Sequence, residues 1–230
     1  MATYAIVVAA GQGTRFGGDL PKQFLLLRDR PILAHALQRF EQSELIEKIV
    51  VVAAPAWSAY ISREIIARFR FNKCQPLVHG GERRQDSVWA GVQALPLKAK
   101  DIVVVHDAVR PLFSPALLGK VVAACERYDG CIPALSPADT VKEVSGAAII
   151  ATLDRERLKL AQTPQAFRHE VLQRAFQRAQ REGWHGTDEA TLVERSGGRM
   201  CWVEGEIFNL KITTPHDLQL AGLFAQQSGI

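Results

Sequence analysis

The sequence predicts an α/β fold with a mainly parallel, twisted sheet and helices on both faces. Short apolar runs rich in β-branched residues occur at 5–10, 49–53 and 101–105, as in strands that are buried on both faces. Segments with helical spacing of apolar residues lie between these runs, and this alternation implies right-handed crossovers. Ligands of such sheets bind beyond the carboxyl ends of the strands. Residues that follow a strand are therefore the first candidates for a functional site.

The remaining elements follow from the same patterns in chain order. Leu33, Ala36, Leu37 and Phe40 fall on one face of the first predicted helix. Further strands are predicted at 76–78, 130–135 and 199–203, and helices at 32–40, 57–69, 88–95, 117–128, 171–180 and 215–224. The pattern breaks after residue 135, where alternation around Ser145-Gly146 predicts a hairpin. An inserted hairpin has little core of its own, so it is a candidate for a dimer contact.

Composition sets limits on the class of protein. The chain has 230 residues, of which 47% are hydrophobic and 23% charged, as in ordinary globular proteins. It contains no apolar run of membrane-spanning length and no secretory signal, and we expect a cytoplasmic location. The net charge of +4 suits anionic ligands, but the scattered charges argue against nucleic acid. The four cysteines lack a metal-ligand pattern, which favours buried thiols in a reducing compartment.

A glycine-rich loop follows the first strand and is the main candidate for a phosphate site. Gly11 and Gly13 would let backbone N–H groups approach a polyphosphate, with Arg15 and Lys22 to neutralise its charge. An ordinary βα turn is the alternative. The loop lacks the Gly-Lys-Ser/Thr of P-loop NTPases. Pro21 interrupts any helix that would follow a dinucleotide fingerprint.

Two other strand ends carry polar groups. Asp107 and Arg110 follow the strand at 101–105, where they form either a structural ion pair or a substrate site. The third strand leads into 80–88, where Asp86 or Ser87 would cap a helix starting at Val88. Further along the chain, Thr187 is a candidate cap for another helix. Asp188, beside it, is a weaker catalytic candidate.

Several motifs together resemble one enzyme family. Gly11-x-Gly13-x-Arg15 followed by Pro-Lys-Gln at 21–23 is similar to the signature loop of the sugar-phosphate nucleotidyltransferases. Gly-Gly-x-x-Arg-x-Asp-Ser-Val at 80–88, His-Asp-Ala-x-Arg-Pro at 106–111 and Asn-x-Lys-x-Thr at 209–213 narrow the resemblance to the 2-C-methyl-D-erythritol 4-phosphate cytidylyltransferase family. The resemblance covers essentially the whole chain. It implies a Rossmann-like nucleotidyltransferase fold in a single domain, 1–230, with 136–160 as an inserted dimerisation arm.

The resemblance also implies an activity and a set of site residues. Members transfer CMP from CTP to 2-C-methyl-D-erythritol 4-phosphate with Mg²⁺, which is bound mainly through the CTP phosphates. By resemblance the catalytic residues are Arg15, Lys22, Arg155 and Lys211, and the nucleotide-binding residues are Ala9, Ala10, Gly11, Gly13, Gly81, Glu82 and Ser87. The acceptor-binding residues are Asp107, Arg110, Thr140, Arg155, Thr163 and Lys211, and Asp107 is also a candidate metal contact.

The family's arm embraces the partner subunit of a homodimer. By resemblance, Thr140 and Arg155 of one chain would reach the acceptor phosphate in the other chain's site. Arg155 is chosen over Arg157 because the family places its arginine eight positions before the threonine that matches Thr163.

Three alternatives differ in what they require of the sequence. A ribitol 5-phosphate cytidylyltransferase would share the loop and the arm and would differ in its acceptor pocket. A nucleotide-binding regulator without turnover would lack Lys22 or Lys211, yet both are present. A dinucleotide-dependent dehydrogenase would place an acid after the second strand, where Ala54 and Pro55 stand instead.

Overall fold

A computed structural model describes residues 1–11 and 20–227 of the chain. Its strands are β1 Thr3–Ala9, β2 Leu26–Leu27, β3 Arg30–Pro31, β4 Lys48–Ala53, β5 Val78–His79, β6 Ile102–Asp107, β7 Gly130–Leu135, β8 Lys142–Ser145, β9 Ala148–Thr152, β10 Leu160–Ala161, β11 Gln165–Arg168 and β12 Met200–Glu204. Its α-helices are α1 Ile32–Glu41, α2 Ser58–Tyr60, α3 Arg84–Gln93, α4 Pro115–Ala124, α5 His169–Glu182, α6 Glu189–Arg195 and α7 Pro215–Gln227. Short 3₁₀ turns lie at Lys22–Phe24, Pro55–Trp57 and Arg155–Arg157, and a π-helical stretch, Ile61–Ala67, continues α2.

The central sheet is mainly parallel. β1 pairs in parallel with β4 on one side and with β6 on the other, and β5 continues the sheet beyond β4. β11 runs antiparallel between β6 and β7. β12 pairs in parallel along β7, while β10 pairs antiparallel with the far end of β7, so β10 and β11 share the other edge of that strand. The predicted fold class is confirmed.

Alternate side chains of the central strands enter two apolar cores on opposite faces of the sheet. Val7 belongs to the core covered by α1, α4 and the π-helical stretch. Ile6 belongs to the core covered by α3, α5 and α6. Both side chains are fully buried, as the near-continuous apolar sequence of β1 indicates. A smaller cluster packs α7 against β2 and the segment after β6.

Most predicted elements occur within a few residues of their predicted bounds. The predicted helix over 57–69 is divided between a 3₁₀ turn, α2 and the π-helical stretch. Strands β2, β3, β10 and β11 were not predicted. The predicted start of α3 at Val88 is wrong, because the helix begins at Arg84.

The caps of α3 and α6 also differ from the prediction. Neither Asp86 nor Ser87 is the N-cap of α3; Arg83 holds that position, and Asp86 accepts a hydrogen bond from its backbone N–H. Asp188, not Thr187, caps α6, by accepting from the backbone N–H of Thr191 at 3.0 Å. Asp188 also accepts from Gln165, so its carboxylate holds two segments together.

The predicted hairpin is confirmed as β8 and β9, which pair only with each other within the described part of the chain. Gly146 closes it with φ +58°, a conformation that suits glycine. The apolar side chains of Val144, Ile149 and Ile150 on this hairpin are 60%, 66% and 60% exposed. The hairpin therefore adds nothing to the two cores of its own chain.

No helix in residues 1–11 or 20–227 combines the length and the apolar run that crossing a membrane would require. All four cysteines are free thiols, with Cys125 and Cys131 buried and Cys74 and Cys201 partly buried.

Candidate active site

A cleft of about 280 Å³ opens beyond the carboxyl ends of β1, β5 and β6. It is lined by Val8, Ala9, Ala10, Gly11, Lys22, Gln23, Gly81, Glu82, Arg83, Arg84, Ser87, Asp107, Ala108, Val109 and Lys211. Its position is the one that a parallel α/β sheet favours for a ligand, because the strand ends leave backbone groups and loops around a crevice there.

One wall consists of the end of β1 and the turn that carries Lys22. Gln23, next to Lys22, is almost completely buried, and its amide Nε2 donates to the carbonyl oxygens of Ala9 at 2.8 Å and Gly11 at 3.0 Å. These bonds tie the turn to the last residue of β1 and to the first residue of the glycine-rich loop. Lys22 is thereby held next to the carboxyl end of β1.

The opposite wall is the turn between β5 and α3. Gly81 donates its backbone N–H to the Ser87 hydroxyl at 3.2 Å, and that hydroxyl donates to the Arg83 carbonyl at 3.1 Å. A Cβ on Gly80 would lie 2.6 Å from the Ala10 Cβ and 2.8 Å from Ser87 Oγ, so only glycine fits between the two walls. Ser87 thus ties the turn to the first residues of α3.

The floor of the cleft is a chain of alternating charges. Lys211 Nζ lies 2.7 Å from Asp107 Oδ2, and Arg84 Nε donates to Asp107 Oδ1 at 3.1 Å. Arg84 Nη1 donates to both carboxylate oxygens of Glu189 at 2.9 Å. The strand end of β6, the start of α3, the start of α6 and the segment after β12 therefore meet through four side chains.

Protonation in this group follows from burial and from its ion pairs. Burial alone would raise the pKa of Asp107, but Arg84 and Lys211 outweigh it and hold that pKa far below its usual range. Burial opposes the charge of Arg84, yet Glu189 and Asp107 together raise its pKa. Burial raises the pKa of Glu189, whose contact with Arg84 works in the opposite direction. Asp107 is consequently a carboxylate near neutral pH.

His106 supports Asp107 from beneath. Its Nε2 donates to the Arg110 carbonyl at 2.9 Å, so Nδ1 is the acceptor for the Thr163 hydroxyl at 3.0 Å. That hydroxyl in turn accepts from the Asp107 backbone N–H at 3.1 Å. Burial lowers the pKa of His106 to about 3, which keeps the ring neutral. These contacts give His106 a structural role beneath Asp107.

Arg110 does not form the ion pair with Asp107 that was considered as an alternative. Within the described residues, Asp107 is paired with Arg84 and Lys211, and the Arg110 Nη1 donates to the Asn209 carbonyl at 2.7 Å. Burial lowers the pKa of Arg110. Its Nε is buried without a hydrogen-bond partner among these residues.

The structure brings nine of the predicted site residues into the cleft lining: Ala9, Ala10, Gly11, Lys22, Gly81, Glu82, Ser87, Asp107 and Lys211. Gly13 and Arg15 lie outside the described residues. Of the residues that the structure describes, Arg110, Thr140, Arg155 and Thr163 are not part of that lining. Thr163 donates its hydroxyl hydrogen to His106. Its role in binding the acceptor substrate stays a prediction.

The two predicted residues of the arm lie apart from the cleft of their own chain. Thr140 is exposed, and Arg155 donates to the Ala138 carbonyl at 2.8 Å from a half-exposed side chain. Their roles therefore stay predictions.

No role was predicted for Gln23, Arg84 or Glu189, although their side-chain contacts hold the site together. Gln23 and Arg84 lie within the motifs at 21–23 and 80–88, so the sequence contained a signal that could have identified them. Glu189 is 105 positions from Arg84, and nothing local distinguishes it from a solvated helix acid.

A divalent metal bound through phosphates fits this cleft better than one held by protein ligands. No cluster of three or more potential metal-ligating side chains occurs in the part of the chain that the structure describes. Both oxygens of Asp107 already contact cations, so this carboxylate suits a water-mediated contact with a metal.

Comparisons with known proteins agree with this geometry. The family model described as 2-C-methyl-D-erythritol 4-phosphate cytidylyltransferase matches residues 3–227. The enzyme of that name from Syntrophotalea carbinolica is 42% identical over 229 residues, which cover 100% of this chain and 98% of the relative. A bifunctional IspD/IspF enzyme from Desulforudis audaxviator is 44% identical over 221 residues, 95% of this chain and 55% of that protein.

A solved structure shows the same fold. The crystal structure of Francisella tularensis 2-C-methyl-D-erythritol 4-phosphate cytidylyltransferase superposes with a TM-score of 0.84 at 31% identity, covering 97% of this chain and 99% of the other. The chain belongs to the 2-C-methyl-D-erythritol 4-phosphate cytidylyltransferase family.

Proposed function

We propose that the protein transfers CMP from CTP to 2-C-methyl-D-erythritol 4-phosphate and releases pyrophosphate, a step of non-mevalonate isoprenoid biosynthesis. The observation that carries the proposal is the single cleft in which the glycine-rich strand end, Lys22 and Lys211 meet the turn at 80–88. Membership of the family supports the choice of both substrates. The same support does not favour ribitol 5-phosphate as acceptor.

The reaction needs no covalent intermediate and no general base. A phosphate oxygen of the acceptor attacks the α-phosphorus of CTP, a P–O bond forms on one side, and the bond to pyrophosphate breaks on the other. A phosphate monoester carries a nucleophilic oxygen near neutral pH. Catalysis therefore consists of positioning and of neutralising charge on the phosphoryl oxygens.

The residues of the cleft divide this work. Lys22 and Lys211 would neutralise charge around the α-phosphate, together with Arg15, which lies outside the described residues. Gly81, Glu82 and Ser87 would surround the cytosine base, and Ala9, Ala10 and Gly11 would approach the triphosphate. Asp107 would contact the acceptor, with Arg110 and Thr163 behind it. Mg²⁺ bound to the triphosphate would supply further charge neutralisation, with Asp107 facing its water shell.

We further propose a homodimer in which residues 136–160 of a single domain, 1–230, reach the neighbouring subunit. The exposed apolar side chains on β8 and β9 support this arm, because an isolated two-stranded hairpin needs a partner surface. Thr140 and Arg155 would then reach the acceptor phosphate in the partner's cleft. A cytoplasmic location is part of the proposal, and the four free thiols support it.

Pyrophosphate release tests the function. The protein would be mixed with CTP and Mg²⁺ and given either 2-C-methyl-D-erythritol 4-phosphate or ribitol 5-phosphate. We expect release with the first acceptor and little with the second. The reverse preference would move the activity to a polyol phosphate, and no release with either would contradict the proposal. A matched reaction without acceptor measures hydrolysis of CTP.

A further inference from the structure

We propose that Arg84, held in place by Glu189, is the permanent counter-ion of Asp107, so that Lys211 can leave Asp107 for a substrate phosphate. This inference rests on the proposed function, because it assigns Arg84 and Glu189 as positioning residues for that reaction. It accounts for a buried ion pair that the reaction scheme above does not use.

The geometry of Arg84 carries the first step. The guanidinium divides its donors: Nε faces Asp107 at 3.1 Å, and Nη1 is held between the two oxygens of Glu189 at 2.9 Å. Glu189 is 1% exposed and both of its carboxylate oxygens accept from Arg84, so it serves as a fixed anchor. Only a planar fork can bridge two carboxylates in this way, whereas the single ammonium of a lysine would have to choose between them.

Lys211 differs from Arg84 in its freedom to move. Its ammonium holds the other oxygen of Asp107 at 2.7 Å, and 40% of its side chain is exposed. Without Arg84, transfer of Lys211 to a phosphate would leave Asp107 as a buried carboxylate with no partner, which is strongly unfavourable. With Arg84 in place, Asp107 keeps one cation throughout, and Lys211 is available to the phosphate.

The charges of the four side chains support this division. Arg84 and Lys211 are positive, Asp107 and Glu189 are negative, and the cluster sums to zero. When Lys211 turns towards a phosphate, the remaining three side chains carry one net negative charge. Glu189 and Asp107 are both bound by Arg84 at that stage, so neither carboxylate needs a new partner.

The simplest alternative is that Arg84 and Glu189 only fasten α6 to α3. A charge-neutral double variant, Arg84→Met with Glu189→Met, separates the two roles. It replaces a buried ion pair with apolar side chains of similar length, an exchange that often preserves stability. Because one positive and one negative charge are removed together, the net charge of the cleft does not change.

Activity, CTP affinity by calorimetry and thermal unfolding would be measured for the parent and the double variant. We expect a melting temperature within about 5 °C of the parent. We also expect acceptor kcat/KM and CTP affinity to fall at least about tenfold, because Lys211 must now stay with Asp107. Glu182→Gln is the matched control, since it breaks the exposed pair with Arg178 on α5 and should leave the kinetics unchanged.

Parent-like kinetics in the double variant would overturn the inference. If the double variant does not fold, the test uses Arg84→Lys instead. This variant keeps the positive charge but cannot bridge Asp107 and Glu189. Turnover equal to that of the parent would also overturn the inference. If the parent protein uses neither 2-C-methyl-D-erythritol 4-phosphate nor ribitol 5-phosphate, the proposed function fails. The inference about Arg84 is then tested by CTP affinity alone. Weaker binding by the double variant supports it, whereas equal binding, or no CTP binding by the parent, overturns it.

Discussion

Lys211 and Asp107 form an ion pair with an Nζ–Oδ2 distance of 2.7 Å, yet 40% of the lysine side chain remains exposed. Asp107 is therefore the buried member of the pair, and Lys211 is the member that a ligand in the cleft can reach. A cation in this position can exchange a carboxylate for a phosphate with a small movement of its flexible stem.

Lys211→Met should lower acceptor kcat/KM about 100-fold, because it removes one cation from the phosphoryl oxygens. The fold should persist, since Asp107 keeps its contact with Arg84. Steady-state kinetics and circular dichroism check both expectations. Lys120→Met, on the exposed face of α4, is the matched control. Unfolding of Lys211→Met at room temperature would show that the lysine is required for structure.

Lys22→Ala should lower kcat about 100-fold and weaken CTP binding much less, if Lys22 acts mainly on charge that develops in the transition state. Calorimetry gives the CTP affinity, and single-turnover pyrophosphate release gives the rate. Equal losses in both quantities would make Lys22 a binding residue only. Gln23 is unchanged in this variant, so the turn should stay tied to Ala9 and Gly11.

Mixed dimers of Arg155→Ala and Lys22→Ala chains should regain activity, because one of their two sites would then contain both an intact Lys22 and an intact arm from the partner. About half of the parental turnover is expected from purified heterodimers with two different tags. Each homodimeric variant serves as the control. Verified heterodimers without recovery would contradict a site shared between subunits.

Gly80→Ala should destabilise the protein by about 1–3 kcal/mol and weaken CTP binding. The added methyl would lie 2.6 Å from the Ala10 Cβ and 2.8 Å from Ser87 Oγ, and so would push apart the two walls of the cleft. Urea unfolding and calorimetry measure the two effects. The matched control is Gly119→Ala within α4, where an added Cβ has no neighbour within 4 Å in the described residues. That change should stabilise the helix by about 1 kcal/mol.

Stability should fall between pH 7 and pH 5 because of His106. Burial lowers its pKa to about 3 from an ordinary value of 6.5, so the unfolded chain binds a proton in this interval and the folded chain does not. The expected loss from this residue is about 2 kcal/mol at pH 5. The buried carboxylates with lowered pKa values respond only below about pH 4.

Urea unfolding at the two pH values measures this loss. His35 is also buried with a lowered pKa, so it adds a further loss of stability on acidification in both the parent and the variant. His106→Gln should be less stable at pH 7 and should lose less on acidification. An equal loss in parent and variant would exclude His106 as a source.

The sequence predicted best where one local pattern determines the structure. The β-branched runs located β1, β4 and β6, and Gly11, Asp107 and Lys211 were found because they follow strands or stand in recognisable motifs. The start of α3 was misplaced because Arg84 and Gln85 interrupt the apolar period in its first turn. Strand β11 is short and begins with a buried glutamine, which does not resemble a strand in isolation.

The charged floor of the cleft was only partly accessible from sequence. The partners of Arg84 are 23 and 105 positions away, and their meeting depends on the order of β6, α3 and α6 around the sheet. In the sequence, a glutamate that becomes buried, such as Glu189, looks the same as one that stays in solvent. Its burial becomes visible only once the elements that cover it have been placed.

The two hydrogen bonds from Gln23 have a consequence for protein engineering. Both bonds join the turn that contains Lys22 to the Ala9 and Gly11 carbonyls, so the described residues on either side of 12–19 are held close together. A change of sequence within residues 12–19 should therefore leave Lys22 next to the end of β1, as long as Gln23 is kept. Such variants would change residues proposed to approach the triphosphate, while Gly81, Glu82 and Ser87, proposed to surround the base, stay constant.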